Sequence, residues 1–335
     1  MNESPEMTIP ERMIQVIQGA GNVVLVTHSH PDGDALGSLF AFAGILDSLG
    51  KKVFCFLEEP VSHLYDFLPS ISRASTSLDV YREFVAGAEG DIIAVALDCG
   101  DEDRLGKTKQ EFLELEPFLV IDHHRSHRQF GTASWVDPHR SSTGEMVYEL
   151  ALALEAPISY ECAYNLYVAI CTDTGSFRYE STKPRTMHIA AELLERGVRP
   201  EEVGSHLYDN SSQERLKLME MVLSTITLHD SDQIALMYVS EKMLEESGAT
   251  LQDVEGFIDL PRSLRSVKVA ALVKEAKDGQ VSVSLRAKGE CDVAQVAKHF
   301  DGGGHRNAAG FRCQGKTPEQ VSQELLVALG KALTC

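Results

Sequence analysis

Thr27-His28-Ser29-His30-Pro31-Asp32-Gly33-Asp34-Ala35 puts an imidazole and two carboxylates into seven residues. The stretch follows Val23-Val24-Leu25-Val26, a β-branched run with the character of a buried parallel strand. It precedes Leu36–Leu49, where Leu36, Leu39, Phe40, Ala43, Leu46 and Leu49 recur at helical spacing. The donors therefore sit where a strand ends and a helix begins, the edge at which open α/β sheets bind ligands. Gly33 is read as allowing a sharp turn between the two aspartates, with Pro31 stiffening the entry. Donors this close would repel one another without a cation between them. A polar turn in which Asp34 caps the helix accounts for one carboxylate, but for neither the second nor His28.

Outward from this stretch, three more apolar runs read as strands: Lys52–Leu57, Asp91–Leu97 and Phe118–Ile121. The second of these delivers Asp98, and the third delivers Asp122-His123-His124. Helical stretches separate the runs, which implies βαβ units and a parallel sheet with acids and histidines gathered on one edge. Ser142-Thr143-Gly144-Glu145 has the spacing of a capping box before a helix over Met146–Leu154. A second helix, Tyr160–Cys171, runs into Thr172-Asp173-Thr174-Gly175. A carboxylate at the negative end of a helix is unfavourable unless a cation lies nearby. Ser212–Thr227 reads as a connecting helix. Alternating runs follow at Ile234–Val239, Val267–Val273 and Val281–Arg286, with a hairpin turn at Lys277-Asp278-Gly279-Gln280. The expected architecture is α/β: an N-terminal domain with a mainly parallel sheet flanked by helices, and a smaller C-terminal α/β domain. The expected boundaries are 1–205 for the first, 206–230 for a helical linker and 231–335 for the second.

Composition narrows the function. A chain of 335 residues accommodates two domains, and no apolar run approaches the roughly 18 residues of a membrane span. The start, Met1-Asn2-Glu3-Ser4-Pro5-Glu6, lacks the basic-then-apolar pattern of a secretory signal. Seven scattered cysteines without a C-x-x-C pair argue against a disulfide framework and a thiolate zinc site, so a reduced cytoplasm is expected. A net charge of −19 argues against coating long duplex nucleic acid. Between Pro261 and Lys316, however, eleven Lys and Arg face five acids, a local excess of +6 that suits a small anionic ligand.

The collected donors are His28, Asp32, Asp34, Asp98, His123 and Asp173. Four carboxylates and two imidazoles without a thiolate favour an octahedral ion: manganese, magnesium, cobalt or iron(II). That is more than one ion with open positions needs. Two ions about 3.5–4 Å apart, sharing one carboxylate, would use them all and would suit phosphoester hydrolysis. At the other end of the chain, the N–H groups of Gly302-Gly303-Gly304 can cradle an anion. With His305, Arg306 and Arg286 they read as a grip on a nucleotide phosphate. Phe177 and Tyr179 are read either as base-stacking or as core, and the remaining histidines, His30 and His127 among them, as ordinary core or surface residues.

The stretches His28–Ala35, Asp98, Asp122-His123-His124 and Thr172–Gly175 resemble the four motifs of the DHH phosphoesterase superfamily, and Gly302–Gly310 is similar to the signature of its DHHA1 domain. Size and layout most resemble the nanoRNase-type branch of oligoribonucleases and 3′-phosphoadenosine 5′-phosphate phosphatases. The resemblance implies that His28, Asp32 and Asp98 hold one metal and Asp34, Asp98, His123 and Asp173 the other, with Asp98 bridging. Manganese comes first, with cobalt or magnesium as alternatives. It further implies that Asp122 orients His123, and that His124 contacts the scissile phosphate or protonates the leaving oxygen. The DHHA1 domain would close over the metals across a cleft, holding the substrate through Arg286, Gly303, Gly304, His305 and Arg306. Ser284-Leu285-Arg286-Ala287 departs from the family's Ser-Leu-Arg-Ser only at Ala287. The implied substrates are short RNA and phosphoadenosine phosphate, hydrolysed by a monomer or homodimer. Cyclic or linear dinucleotides are the alternative substrates, and a nucleotide-binding module without turnover is the alternative of another class.

Overall fold

Val23 and Leu25 face one side of the first strand and Val24 and Val26 the other, and all four are buried. A strand buried on both faces needs helices above and below it, and the chain supplies them. The computed structural model describes residues 9–275 and 279–333, which form two units divided between Asp209 and Asn210.

The first unit holds strands β1 (Asn22–Thr27), β2 (Lys52–Phe56), β3 (Ala74–Ser75), β4 (Ile92–Leu97), β5 (Phe118–Asp122) and β6 (Ala133–Val136). They form one sheet in the order β3-β2-β1-β4-β5-β6, every pair parallel. Its helices are α1 (Glu11–Gly19), α2 (Gly33–Ser48), α3 (Leu78–Ala86), α4 (Lys109–Leu113), α5 (Thr143–Ala153), α6 (Tyr160–Asp173), α7 (Pro184–Glu195) and α8 (Pro200–Tyr208). One core gathers α1, α2, α5 and α6 against Val23, Leu25, Val95 and Leu119. The other packs Tyr81, Phe112 and Phe130 against Val24, Val26, Ala94 and Val120. The strand order turns back on either side of β1, because β1 pairs with both β2 and β4. Such a switch point opens a ligand site at the carboxyl ends of the strands.

Gly33 does not serve the turn expected of it. It is the first residue of α2, and a methyl group there would lie 2.5 Å from Thr172 Cγ2. Gly37, one helical turn on, would press a methyl to 2.5 Å from the Asn165 carbonyl oxygen. Both glycines let α2 approach α6 at backbone distance. The cap of α2 is Asp32 rather than Asp34: Asp32 Oδ1 accepts from the backbone N–H groups of Asp34 and Ala35, both at 3.1 Å.

The second unit holds α9 (Gln213–Leu223), β7 (Thr227–His229), β8 (Ile234–Val239), α10 (Glu241–Ser247), α11 (Asp259–Ser263), β9 (Val269–Glu275), β10 (Val281–Ala287), α12 (Val293–Lys298), β11 (Gly303–His305), β12 (Ala308–Cys313) and α13 (Pro318–Leu333). Its sheet runs β11-β12-β10-β9-β8-β7 and is mixed, with only β8 and β9 parallel. Val283, Leu285 and Phe311 pack under α12 and α13, while Ala270 and Leu272 on the opposite face pack with Leu218 and Val222 of α9. Of the expected hairpin turn, Lys277 and Asp278 lie outside the described residues. Gly303 and Gly304 belong to the edge strand β11, paired with Gly310 and Ala309 of β12.

Candidate metal centre

β1 hands over to His28 at its carboxyl end. The His28 Nδ1–H donates to the Ser29 carbonyl at 2.9 Å, because a carbonyl can only accept. That leaves Nε2 with its lone pair, 3.5 Å from Asp98 Oδ2. Asp98 follows β4 in the left-handed region, at φ 56°, a conformation that aspartate tolerates better than most residues. Its backbone N–H still donates to Ile121 at 2.9 Å, so the strained residue stays tied to the sheet. The other oxygen, Oδ1, accepts from the Thr143 hydroxyl at 3.0 Å and lies 3.5 Å from His123 Nε2. The two oxygens of one buried carboxylate thus address two different histidines.

His123 is the centre of the second group. Its Nδ1–H donates to the Arg140 carbonyl at 3.3 Å, and its Nε2 stands 3.5 Å from Asp34 Oδ2, Asp98 Oδ1 and Asp173 Oδ2 alike. One nitrogen cannot hydrogen-bond three carboxylates. With ligand bonds of about 2.0–2.2 Å, however, donors 3.5 Å apart subtend roughly 110° at a shared ion. The donor set therefore fits a divalent cation. Among the described residues, three groups have ligand atoms within 4.8 Å of one another: His28, Asp32 and Asp98; Asp34, His123 and Asp173; Asp98, His123 and His124. The structure thus brings together all six donors expected from the sequence.

Asp34 is held by the start of α5. Its oxygens accept from the backbone N–H groups of Thr143 (2.7 Å) and Gly144 (2.9 Å) and from the Ser38 hydroxyl (3.1 Å). The positive end of a helix favours a carboxylate there. Burial nevertheless pushes the Asp34 carboxyl well above its usual range, with Asp98, Asp173 and Asp32 adding to the shift against His123. Asp173, at the last turn of α6, is pushed up to about 6 by burial, His123 opposing and Asp98 and Asp32 reinforcing. His123 is pushed up to about 10: burial opposes its charge, but Asp173, Asp34 and Asp98 outweigh burial. The centre carries more negative charge than its own histidines can balance, which is the electrostatic signature of a cation site.

Asp122 does not orient His123. That is done by the Arg140 carbonyl, in a loop fixed by the Arg140–Asp137 pair at 2.9 Å. Asp122 instead accepts from Nδ1 of His124 and of His127, each at 2.7 Å. His127 is therefore not an ordinary core residue. The capping box at α5 is half formed. Ser142 Oγ accepts from the Glu145 N–H at 3.1 Å, but the Glu145 carboxylate turns to the hydroxyls of Ser141 (2.6 Å) and Thr186 (2.8 Å). Three contributors were missed in the sequence: Thr143, Arg140 and His127. The one available signal was the Thr-Gly pair at a helix start, where exposed N–H groups attract anions.

In the second unit, Arg286 is half-buried on β10, and its Nη1 donates to the Leu285 carbonyl at 3.1 Å. Arg306 is engaged with Glu290, at 3.0 Å to its carbonyl and 2.7 Å to its carboxylate. The His305 side chain lies outside the described residues. Phe177 packs on Tyr167 with ring centroids 5.8 Å apart, and the Tyr179 ring covers Gly175. Among the described residues no helix is long and apolar enough to cross a membrane.

The family model "DHH family, N-terminal domain" matches residues 22–170, and "DHHA1 domain" matches residues 232–333. The chain is similar to the bifunctional oligoribonuclease and PAP phosphatase NrnA of Thermus thermophilus, at 30% identity over 330 residues, covering 98% of this chain and 95% of that protein. It is 26% identical over 302 residues to NrnA of Bacillus subtilis, covering 89% and 91% of the two chains. Among solved structures, an exopolyphosphatase-related protein from Bacteroides fragilis superposes with a TM-score of 0.84 at 28% identity, covering 97% of this chain and 95% of that one. Two matched domains in order and a full-length relative at this identity place the chain in the DHH phosphoesterase family, with an N-terminal DHH domain and a C-terminal DHHA1 domain.

Proposed function

We propose that the chain hydrolyses short oligoribonucleotides to mononucleotides, and 3′-phosphoadenosine 5′-phosphate to AMP, with two divalent ions, manganese first. The observation that carries this reading is Asp98: Oδ2 addresses His28, and Oδ1 addresses His123. A carboxylate shared in this way divides the six donors into two sets, His28 and Asp32 on one side and Asp34, His123 and Asp173 on the other. Divalent ions held by these residues would supply a water of lowered pKa and positive charge for the phosphoryl oxygens. His124, held by Asp122, is the residue assigned to the scissile phosphate or the leaving oxygen. Arg286, Gly303, Gly304, His305 and Arg306 of the second unit are assigned to the substrate's phosphates. The full-length relatives named for oligoribonuclease and PAP phosphatase activity support this substrate class.

The test is turnover with manganese and after chelation on RNAs of two to about twenty nucleotides, phosphoadenosine phosphate, cyclic dinucleotides and pyrophosphate, with Asp98→Ala as the blank. Metal-dependent release of mononucleotides from the shortest RNAs, absent in Asp98→Ala, is the expected result. Preference for cyclic dinucleotides would move the enzyme to messenger hydrolysis. No turnover on any substrate would reject the enzymatic reading and leave a nucleotide-binding module.

A further inference from the structure

Asp122 is fully buried at the end of β5, and both its oxygens are taken by imidazoles. Oδ1 accepts from His124 Nδ1 and Oδ2 from His127 Nδ1, each at 2.7 Å. The chain returns His127 to this carboxylate by a tight turn, in which the His127 N–H donates to the His124 carbonyl at 3.2 Å. The next residue pins the turn, Arg128 N–H donating to the Gly100 carbonyl at 2.8 Å. The His127 ring lies against Phe130, with centroids 5.7 Å apart and planes at 21°. Its Nε2 is buried and has no hydrogen-bond partner among the described residues.

An ionised carboxylate only accepts, so both histidines carry their proton on Nδ1. The Nε2 of His127, buried beside Phe130, is left without a hydrogen-bond partner among the described residues whether or not it also carries a proton, an unfavourable place for a polar atom. Leucine would fill that space without the penalty. Among the described residues, the one side-chain hydrogen bond of the imidazole is to Asp122. A carboxylate bonded through one oxygen can still rotate about its Cβ–Cγ bond. A carboxylate clamped through both cannot.

We propose that His127 is a positioning residue for the phosphoester chemistry. By holding Oδ2 it stops the rotation of Asp122, and Asp122 in turn fixes the ring plane and the Nδ1–H tautomer of His124, leaving His124 Nε2 as the position that exchanges a proton or hydrogen-bonds to substrate. This rests on the reading in which His124 acts on the substrate.

The manganese-loaded protein is compared with His127→Leu, which fills the space without a donor. His127→Asn keeps one, because its Nδ2, like the imidazole Nδ1, is bonded to Cγ. His127→Leu is expected to lower kcat on a dinucleotide on the order of tenfold to a hundredfold, the scale of a misplaced catalytic group. KM and the number of ions bound should not change, and His127→Asn should restore most of the rate. In a His124→Asn background the leucine change should cost nothing further, since the two residues act as one unit. Wild-type kcat in His127→Leu, beside an impaired His124→Asn, would overturn the proposal. So would a leucine effect that persists undiminished in the double variant. Full activity of His124→Asn would reject the role of His124, and the proposal with it. Should His127→Leu not fold, imidazole 1H–15N spectra of the magnesium-loaded wild type decide: Nδ1–H on both rings is expected, and a His127 ring whose only N–H is at Nε2 would overturn it.

Discussion

Thr143 meets Asp34 across 109 residues of chain, its backbone N–H donating to Asp34 Oδ2 at 2.7 Å. The same residue donates its hydroxyl to Asp98 Oδ1 at 3.0 Å, so one threonine aligns two candidate ligands through two different groups. Thr143→Val removes only the second bond and keeps the first. Partners that orient metal ligands typically contribute about 10–100-fold to affinity. Manganese titration calorimetry on Thr143→Val should therefore show a loss of roughly that size. Unchanged affinity would mean that Asp98 is held by its neighbours alone.

Gly33→Ala should act on the centre before it acts on the fold. The new methyl would meet the Thr172 side chain at 2.5 Å, and Thr172 adjoins Asp173. Overpacking of this kind costs about 1–3 kcal/mol, here delivered between Asp34 at the start of α2 and Asp173 at the end of α6. Metal affinity measured beside the thermal midpoint of the chelated protein separates the two. A drop in midpoint with unaltered affinity would count against the coupling.

The metal-free protein should be more heat-stable at pH 5 than at pH 7. Asp173 has a folded pKa of about 6 against an ordinary 3.8, so the folded chain keeps a proton that the unfolded chain has given up, and this stabilisation is lost as pH rises through 6. Asp34 is shifted the same way. His123, raised to about 10 from 6.5, contributes fully below 6.5 and loses its share at higher pH, which does not reverse the trend. Asp98 and Asp122 are depressed: burial opposes their ionisation, but the neighbouring histidines win, so their contribution persists until far more acidic pH. Manganese inverts the slope, because the ligands must lose their protons to bind it. Calorimetric midpoints at the two pH values, in chelator and in excess manganese, should move in opposite directions. Asp173→Asn should flatten the chelated one.

Arg286→Ala should spare the metals and weaken the substrate. A hydrogen bond to a charged group contributes about 1.5–3 kcal/mol, or roughly 10–150-fold in KM for a dinucleotide. Ion stoichiometry should be unaltered. A variant that loses metal, or that keeps the wild-type KM, would remove Arg286 from the substrate grip.

Strands β1, β2, β4 and β5 were legible as continuous apolar runs, and the six donors because each follows such a run, as His28, Asp32, Asp34, Asp98 and His123 do, or closes a helix, as Asp173 does. β3 and β6 were not, being two and four residues long with little patterning of their own. The supports of the donors were illegible for another reason. His123 leans on a backbone carbonyl 17 residues away, and a carbonyl has no letter in the sequence. Asp122 was assigned to the nearer histidine, whereas the turn after His124 brings a third one back to it.

Asp34 opens α2, Thr143 opens α5 and Asp173 closes α6, and these helices touch where Gly33, Gly37 and Gly144 leave no room for a methyl group. The centre is in effect a gauge of helix spacing. A substitution that pushes two of these helices apart by the width of one carbon displaces Asp34, Thr143 or Asp173 from His28, Asp98 and His123 at the strand ends, while most of the apolar packing survives. Variants of this chain that are well folded and yet metal-poor should therefore cluster along that seam rather than around the ligands themselves.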